Sequence, residues 1–204
     1  MRRTSKFTSA LAVAVLAGIG TIAGSASASA TPPESEPSAI GVPGEAIDGA
    51  LDPATFAGEL IVAVPSGQDV VVTVEAGEAP SVIEEVEAAD ATGSAQSHGR
   101  VEQSRAGCGE TVRSVAGMFG YTTSVQGCAV AGYPGYQRSY SWSKTSDTSV
   151  CTKGKGFNGN NATWYSTSCS SGSWSVPWGN VLAYTQMQGM SLAGVVGATY
   201  DWRA

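Results

Sequence analysis

Hydrophobic and polar positions along this chain follow three regimes. Residues 11–23 are an uncharged apolar run, preceded by Arg2, Arg3 and Lys6 and followed by the small residues of 25–30. A basic start, a short apolar stretch and an A-x-A exit at Ala28 and Ala30 are the pattern of a secretory signal peptide. The run is shorter than the ~20 residues a spanning helix needs. Residues 1–30 are therefore expected to be a cleaved signal, with no transmembrane segment in the mature chain.

The second regime, residues 31–99, mixes disorder-type composition with short apolar runs. The Pro/Ser/Glu/Gly stretch 31–49 offers little to bury and is expected to be disordered. Asp52 followed by Pro53 predicts an N-cap and first position of a short helix through Phe56. Two β-branched runs, 59–64 and 70–75, flank Pro65-Ser66-Gly67-Gln68 and predict a hairpin. Ser81 and Glu84 have the spacing of a capping box, which predicts a short acidic helix to about Ala89. Residues 91–105 are expected to be a linker, in keeping with the Gly/Ser-rich run just before residue 100.

The third regime begins near residue 106 and has a period of two. In 136–144, Tyr136, Arg138, Tyr140, Trp142 and Lys144 alternate with Gln137 and three serines, the mark of a strand. Residues 111–125 are mixed, with bends expected at Gly117 and Gly120. Asn158-Gly159 predicts a tight hairpin joining 151–157 to 162–169. Further strands are expected at 173–176, 180–186 and 195–202. The fold class expected is mainly β. A disulfide-bonded antiparallel β-sandwich or barrel fills 106–204, preceded at 50–90 by a small acidic hairpin/helix segment that is a candidate pro-segment.

Charge sharpens the division. Residues 31–100 hold thirteen acidic residues and one basic one, whereas residues 101–204 hold four and seven. Every Trp and Tyr lies between Tyr121 and Trp202. The positive charge of the second half is too small and scattered for a nucleic-acid surface. The four cysteines are Cys108, Cys128, Cys151 and Cys169. An even count in an exported chain predicts two disulfides, of which the local pairing 108–128 and 151–169 is favoured over the two alternatives. No C-x-x-C spacing suggests a metal site, and no cofactor is expected.

Catalytic machinery is sparse. The single histidine, His98, falls in the expected linker, and no nucleophile motif accompanies it. Glu102, Glu110, Asp147 and Asp201 are the carboxylates available to a glycosidase pair. Lys153-Gly154-Lys155-Gly156 lacks the phosphate-loop spacing and reads as a turn with solvated lysines.

Aromatic residues are the positive feature, because Trp and Tyr faces stack on sugars. The face carrying Tyr136, Arg138, Tyr140 and Trp142 is the first candidate ligand surface, since a core face rarely holds two cations. Trp178, in a turn-like Val176-Pro177-Trp178-Gly179-Asn180, is the second. The run 151–157, with Trp164, Tyr165 and Cys169, resembles small secreted proteins of Gram-positive, high-GC bacteria in general terms. The cysteine count and size match secreted β-sandwiches such as the chromoprotein apoproteins, whose motifs are absent, so nothing is carried over.

Three functions follow as expectations. The first is a secreted, non-enzymatic binding or cell-surface module for extracellular glycan, cell wall or a secreted protein. The second is a secreted protease inhibitor or antibacterial effector held by an acidic pro-segment. The third is a low-turnover hydrolase.

Overall fold

The computed structural model describes residues 47–93, 108–193 and 197–204. The expected signal 1–30, nearly all of the expected disordered stretch 31–49, and most of the linker 91–105 with His98 lie outside the described residues.

The chain is mainly β, with one helix and three four-stranded sheets among the described residues. The predicted hairpin is present as β1 (Gly58–Ala63) and β2 (Asp69–Val74), in antiparallel register from Gly58↔Val74 to Ala63↔Asp69. The helix expected at Asp52 is a single turn, where the Asp52 carboxylate accepts from the Ala54 N–H. The helix α1 (Ala79–Ala91) starts two residues before Ser81. Ser81 is therefore no cap, and its hydroxyl donates to the Glu78 carbonyl at 2.9 Å. Pro80 lies in the first turn, where its missing N–H costs nothing. Ala79, Val82, Ile83 and Val86 recur at helical spacing and pack on β1 and β2 residues Leu60, Val62, Val72 and Val74.

The acidic segment is not a separate body. β1 lies in the interior of a sheet ordered β10–β5–β1–β2, with β5 (Ala129–Ala131) running parallel beside it and β10 (Leu182–Tyr184) beyond. The reason is visible in β1 itself. Leu60, Ile61, Val62, Ala63 and Val64 are all buried. A continuous apolar run needs cover on both faces and cannot belong to an isolated hairpin. Leu60 and Val62 face the helix side, while Ile61 joins Val130, Phe157, Trp178 and Ala183 on the other. The boundary drawn by charge near residue 100 is thus no boundary of the fold.

The other two sheets face each other across a shared core, within the expected class of β-sandwich or barrel, while β5 and β10 of 106–204 belong to the first sheet. One is β4–β11–β7–β8, from β4 (Thr122–Thr123), β11 (Met187–Ser191), β7 (Val150–Asn158) and β8 (Asn161–Cys169). The other is β3–β12–β6–β9, from β3 (Val112–Val115), β12 (Thr199–Arg203), β6 (Gln137–Lys144) and β9 (Gly172–Pro177). The Asn158-Gly159 hairpin forms as predicted, with Asn158 opposite Asn161 and Gly159 at φ 61°.

Tyr140, Trp142, Tyr200 and Trp202 fill the space between the sheets with Val150, Val176 and Met187. Glycines on the facing sheet make room for them. A Cβ at Gly154 would come within 2.9 Å of the Tyr140 ring, and one at Gly189 would enter the Tyr200 ring. Large rings against bare backbone explain a core rich in Gly, Trp and Tyr. Both favoured disulfides are present, Cys108–Cys128 and Cys151–Cys169. Each closes a loop of about 20 residues, a constraint of roughly 3 kcal/mol in the chain-entropy account. They mark an oxidising environment. Among the described residues no helix is long and apolar enough to cross a membrane.

Candidate functional site

β6 carries the strict alternation seen in the sequence, but its aromatic face points inward. Tyr140 is fully buried, and Trp142 and Arg138 nearly so. The expectation that two cations mark this face as exposed is corrected by where they sit. Lys144 is exposed at the end of the strand, while Arg138, near the start, reaches the seam with the acidic segment. The rings between them belong to the core.

Arg138 and its neighbours form the most developed polar arrangement described. Its Nη1 donates to Asp69 Oδ2 on β2 at 2.7 Å and to the Tyr136 phenol at 2.9 Å. Its Nε is buried with no hydrogen-bond partner among the described residues. Burial works to lower the Arg138 pKa, but Tyr136 and Asp69 outweigh it, and the pKa is raised. The guanidinium stays charged. Burial raises the Tyr136 pKa, so its phenol stays neutral and able to accept from Arg138. The Tyr136 ring rests against Tyr133 at 5.2 Å between centroids.

These groups lie in a cleft of about 590 Å³ whose walls come from both sides of the charge boundary. Ile61, Val64, Gly67, Asp69 and Val71 supply one side. Tyr136, Arg138, Ser139, Ser141, Ser173 and Arg203 supply the other, and Arg138 is ion-paired to Asp69. Arg203 is exposed, and its Nε donates to Ser141 Oγ at 3.2 Å. The cleft volume suits a small ligand or one unit of a polymer. Asp69 is its single carboxylate side chain.

Trp178 is fully buried. Its indole N–H is shared by the carbonyls of Val130 at 3.3 Å and Val181 at 3.2 Å, and its ring meets Phe157 edge-on. It fastens the first sheet to the sandwich and presents no face to a ligand. Among the described residues the exposed aromatics are Trp174, beside Ser139, Ser173 and Ser175, and Phe119, in the connection from β3 to β4. Neither was singled out from the sequence. Trp174 faces Tyr140 across the ladder but stands on an outer strand, so only its position in the sheet distinguishes it from a core residue.

The remaining candidates are spread apart. Asp201 forms a two-point ion pair with Arg113, at 2.8 and 3.1 Å. Glu110 is exposed and Asp147 lies in the turn after β6. Glu102 lies outside the described residues. The lysines of 153–156 are in β7 and not in a turn. Lys153 Nζ sits 4.0 Å from the centre of the Tyr121 ring. Lys155 is fully buried and its Nζ has no hydrogen-bond partner among the described residues, which corrects the solvated reading.

The chain matches no known family model, no curated protein and no solved structure. Its chemistry must therefore be argued from its own side chains.

Lys155 yields a stability prediction. Burial lowers its pKa to about 8 from 10.5, with a smaller upward pull from Asp48. The unfolded chain therefore holds this proton more tightly than the folded one. The penalty is fully present below pH 8 and is relieved as pH rises towards 10.5. It amounts to about 3 kcal/mol. The buried phenols Tyr140 and Tyr200 are shifted upward, so their opposing effect begins only near pH 10. Denaturant titrations between pH 7 and 9.5 are expected to show Lys155→Met more stable than the parent at pH 7, with the difference shrinking as pH rises. A constant difference would mean that Lys155 does not titrate as described.

Proposed function

We propose that this chain is an exported, non-enzymatic binding module whose ligand occupies the cleft between β2 and β6. The observation that carries this is Arg138, a charged side chain held nearly buried in the lining of an open cleft, where it pairs with Asp69 and the Tyr136 phenol. A buried guanidinium is costly to keep, and a purely structural position would be served as well by an apolar residue. The basic-apolar-small N-terminus and the two disulfides support export. Extracellular glycan or cell wall is the source of ligand that fits a secreted module with a polar cleft.

The second reading, an inhibitor or effector, is favoured by Phe119. It is 89% exposed in a connection anchored by Gly117, whose N–H donates to the Gly189 carbonyl and whose carbonyl accepts from Ser191. An exposed ring on a fixed loop can enter a partner's pocket.

One experiment separates the two. Purified protein and a cleft-filling variant, Ser141→Trp, are sedimented with insoluble cell wall and tested against a panel of secreted proteases. The module reading predicts sedimentation of the parent and several-fold less of the variant. Protease inhibition that Ser141→Trp leaves intact and Phe119→Ser removes would replace it with the second reading.

A further inference from the structure

We infer that the free edge of β2 is a docking site for an extended, basic segment of a partner protein, which adds to the sheet as a further strand. Occupation of this edge does not depend on what the cleft binds.

β2 ends its sheet, and among the described residues it pairs with β1 alone. The register shows which of its backbone groups are left over. The Val64 N–H donates to the Gln68 carbonyl at 3.2 Å, so positions 64 and 68 form a hydrogen-bonded pair. Such pairs alternate along an antiparallel ladder, so Val70, Val72 and Val74 turn their backbone groups to β1 in the same way. Asp69, Val71 and Thr73 therefore aim their N–H and C=O groups at the open edge. Natural edges are blunted by Lys, Pro or a bulge. The strand Asp69–Val74 has none of these, and its register with β1 is unbroken. Its one charged side chain, Asp69, is held by Arg138. Val70, Val71 and Val72 are half-buried, and their branched side chains favour the extended backbone a strand partner needs.

Charge decides the occupant. Residues 47–93 hold ten carboxylates and no cation. A second copy would set acid against acid, whereas a basic segment is attracted. The side chains of Asp69, Val71 and Thr73 share one face. On that face Ile61 lies opposite Val71, and Glu59 lies opposite Thr73. Arg138 engages Asp69 through Oδ2, and the Asp69 side chain is 44% exposed. The face thus reads acid, apolar, acid at a spacing of two residues. An added strand lays every second side chain over it, so the complementary pattern is basic, apolar, basic with one residue between each. Thr73 is small and leaves a lysine opposite it a path to Glu59, two strand spacings or roughly 10 Å away. Main-chain bonds to the edge supply affinity, and these alternate side chains supply selectivity.

The test is fluorescence anisotropy of dye-labelled peptides with the whole mature protein. The probe is Thr-Lys-Thr-Val-Thr-Lys-Thr, and its counterpart carries glutamate in place of both lysines. The basic peptide is expected to bind at least about tenfold tighter than the acidic one. Methylating the backbone nitrogens of its valine and lysines, which face β2 in the added strand, is expected to abolish binding. Thr73→Pro is expected to abolish it too, because it removes an N–H that β1 does not use; circular dichroism confirms that the variant is folded. Should Thr73→Pro not fold, the methylated peptide decides alone. Absence of binding by the basic peptide, equal binding of both peptides, or binding that survives nitrogen methylation overturns the proposal. Each of these results leaves the cleft reading in place, since sedimentation with cell wall tests that reading by itself.

Discussion

Removal of residues 1–93 is expected to leave a chain that does not fold. Such a chain keeps both disulfides and every Trp and Tyr, and composition alone marks it as a complete β domain. The fold argues otherwise. β5 would lose the parallel ladder to β1, with pairs Leu60↔Ala129, Ile61↔Val130 and Val62↔Ala131. Ala129, Val130, Ala131 and Leu182, all buried, would lose their cover from Phe56, Leu60, Ile61 and Val62. Each large apolar side chain removed from such a core is worth about 2–5 kcal/mol. Several together exceed the 5–15 kcal/mol that typically holds a domain. The truncated chain should show low dispersion in its amide NMR spectrum and no cooperative thermal transition. A well-dispersed spectrum would mean that the sandwich stands alone and that the acidic hairpin is an accessory.

The second large effect is expected at Trp178. Trp178→Ala should destabilise the protein by about 3–5 kcal/mol, the range for deleting a large buried ring. The ring lies within the cluster of Ile61, Val130, Phe157, Val181 and Ala183. Deletion also leaves the Val130 and Val181 carbonyls without the shared indole N–H. The denaturant midpoint reports the loss. A ligand-contacting Trp178 would instead lower affinity and leave the midpoint nearly unchanged.

Much of the fold was legible because alternation and turn chemistry are local. The β1–β2 hairpin, β6, the β7–β8 hairpin and the disulfide pairs all follow from short-range signals such as Pro65-Ser66-Gly67-Gln68 and Asn158-Gly159. β5 was not legible, since Ala129-Val130-Ala131 is three residues long and buried on both faces. It becomes a strand only through β1 and β10, which come from distant parts of the chain. The charge boundary misled for a related reason. The acidic residues of 50–90 cluster on the outer side of α1 and at strand ends, so an average over the segment hides the fully buried run from Leu60 to Val64.

The site was half legible. Arg138 and Tyr136 were named from the sequence, but as part of an exposed aromatic face. The structure separates them from Tyr140 and Trp142, which are core. The partner that defines the cleft, Asp69, is 69 residues away, on the far side of the supposed boundary. No periodicity links two such positions. Arg203 joins through the β6–β12 register, which is equally non-local.

The central claim is that the cleft exists because the acidic segment and the aromatic sandwich are one cooperative unit. Native-state hydrogen exchange across a denaturant series, read by mass spectrometry on peptides covering 58–64, 129–131 and 150–158, tests it most directly. The account predicts that amides of β1, β5 and β7 share one opening free energy, equal to that of global unfolding. Exchange of β1 at a distinctly lower free energy, while β7 stays protected, would contradict it. The hairpin would then be a dockable appendage, and the cleft an occasional rather than a built site.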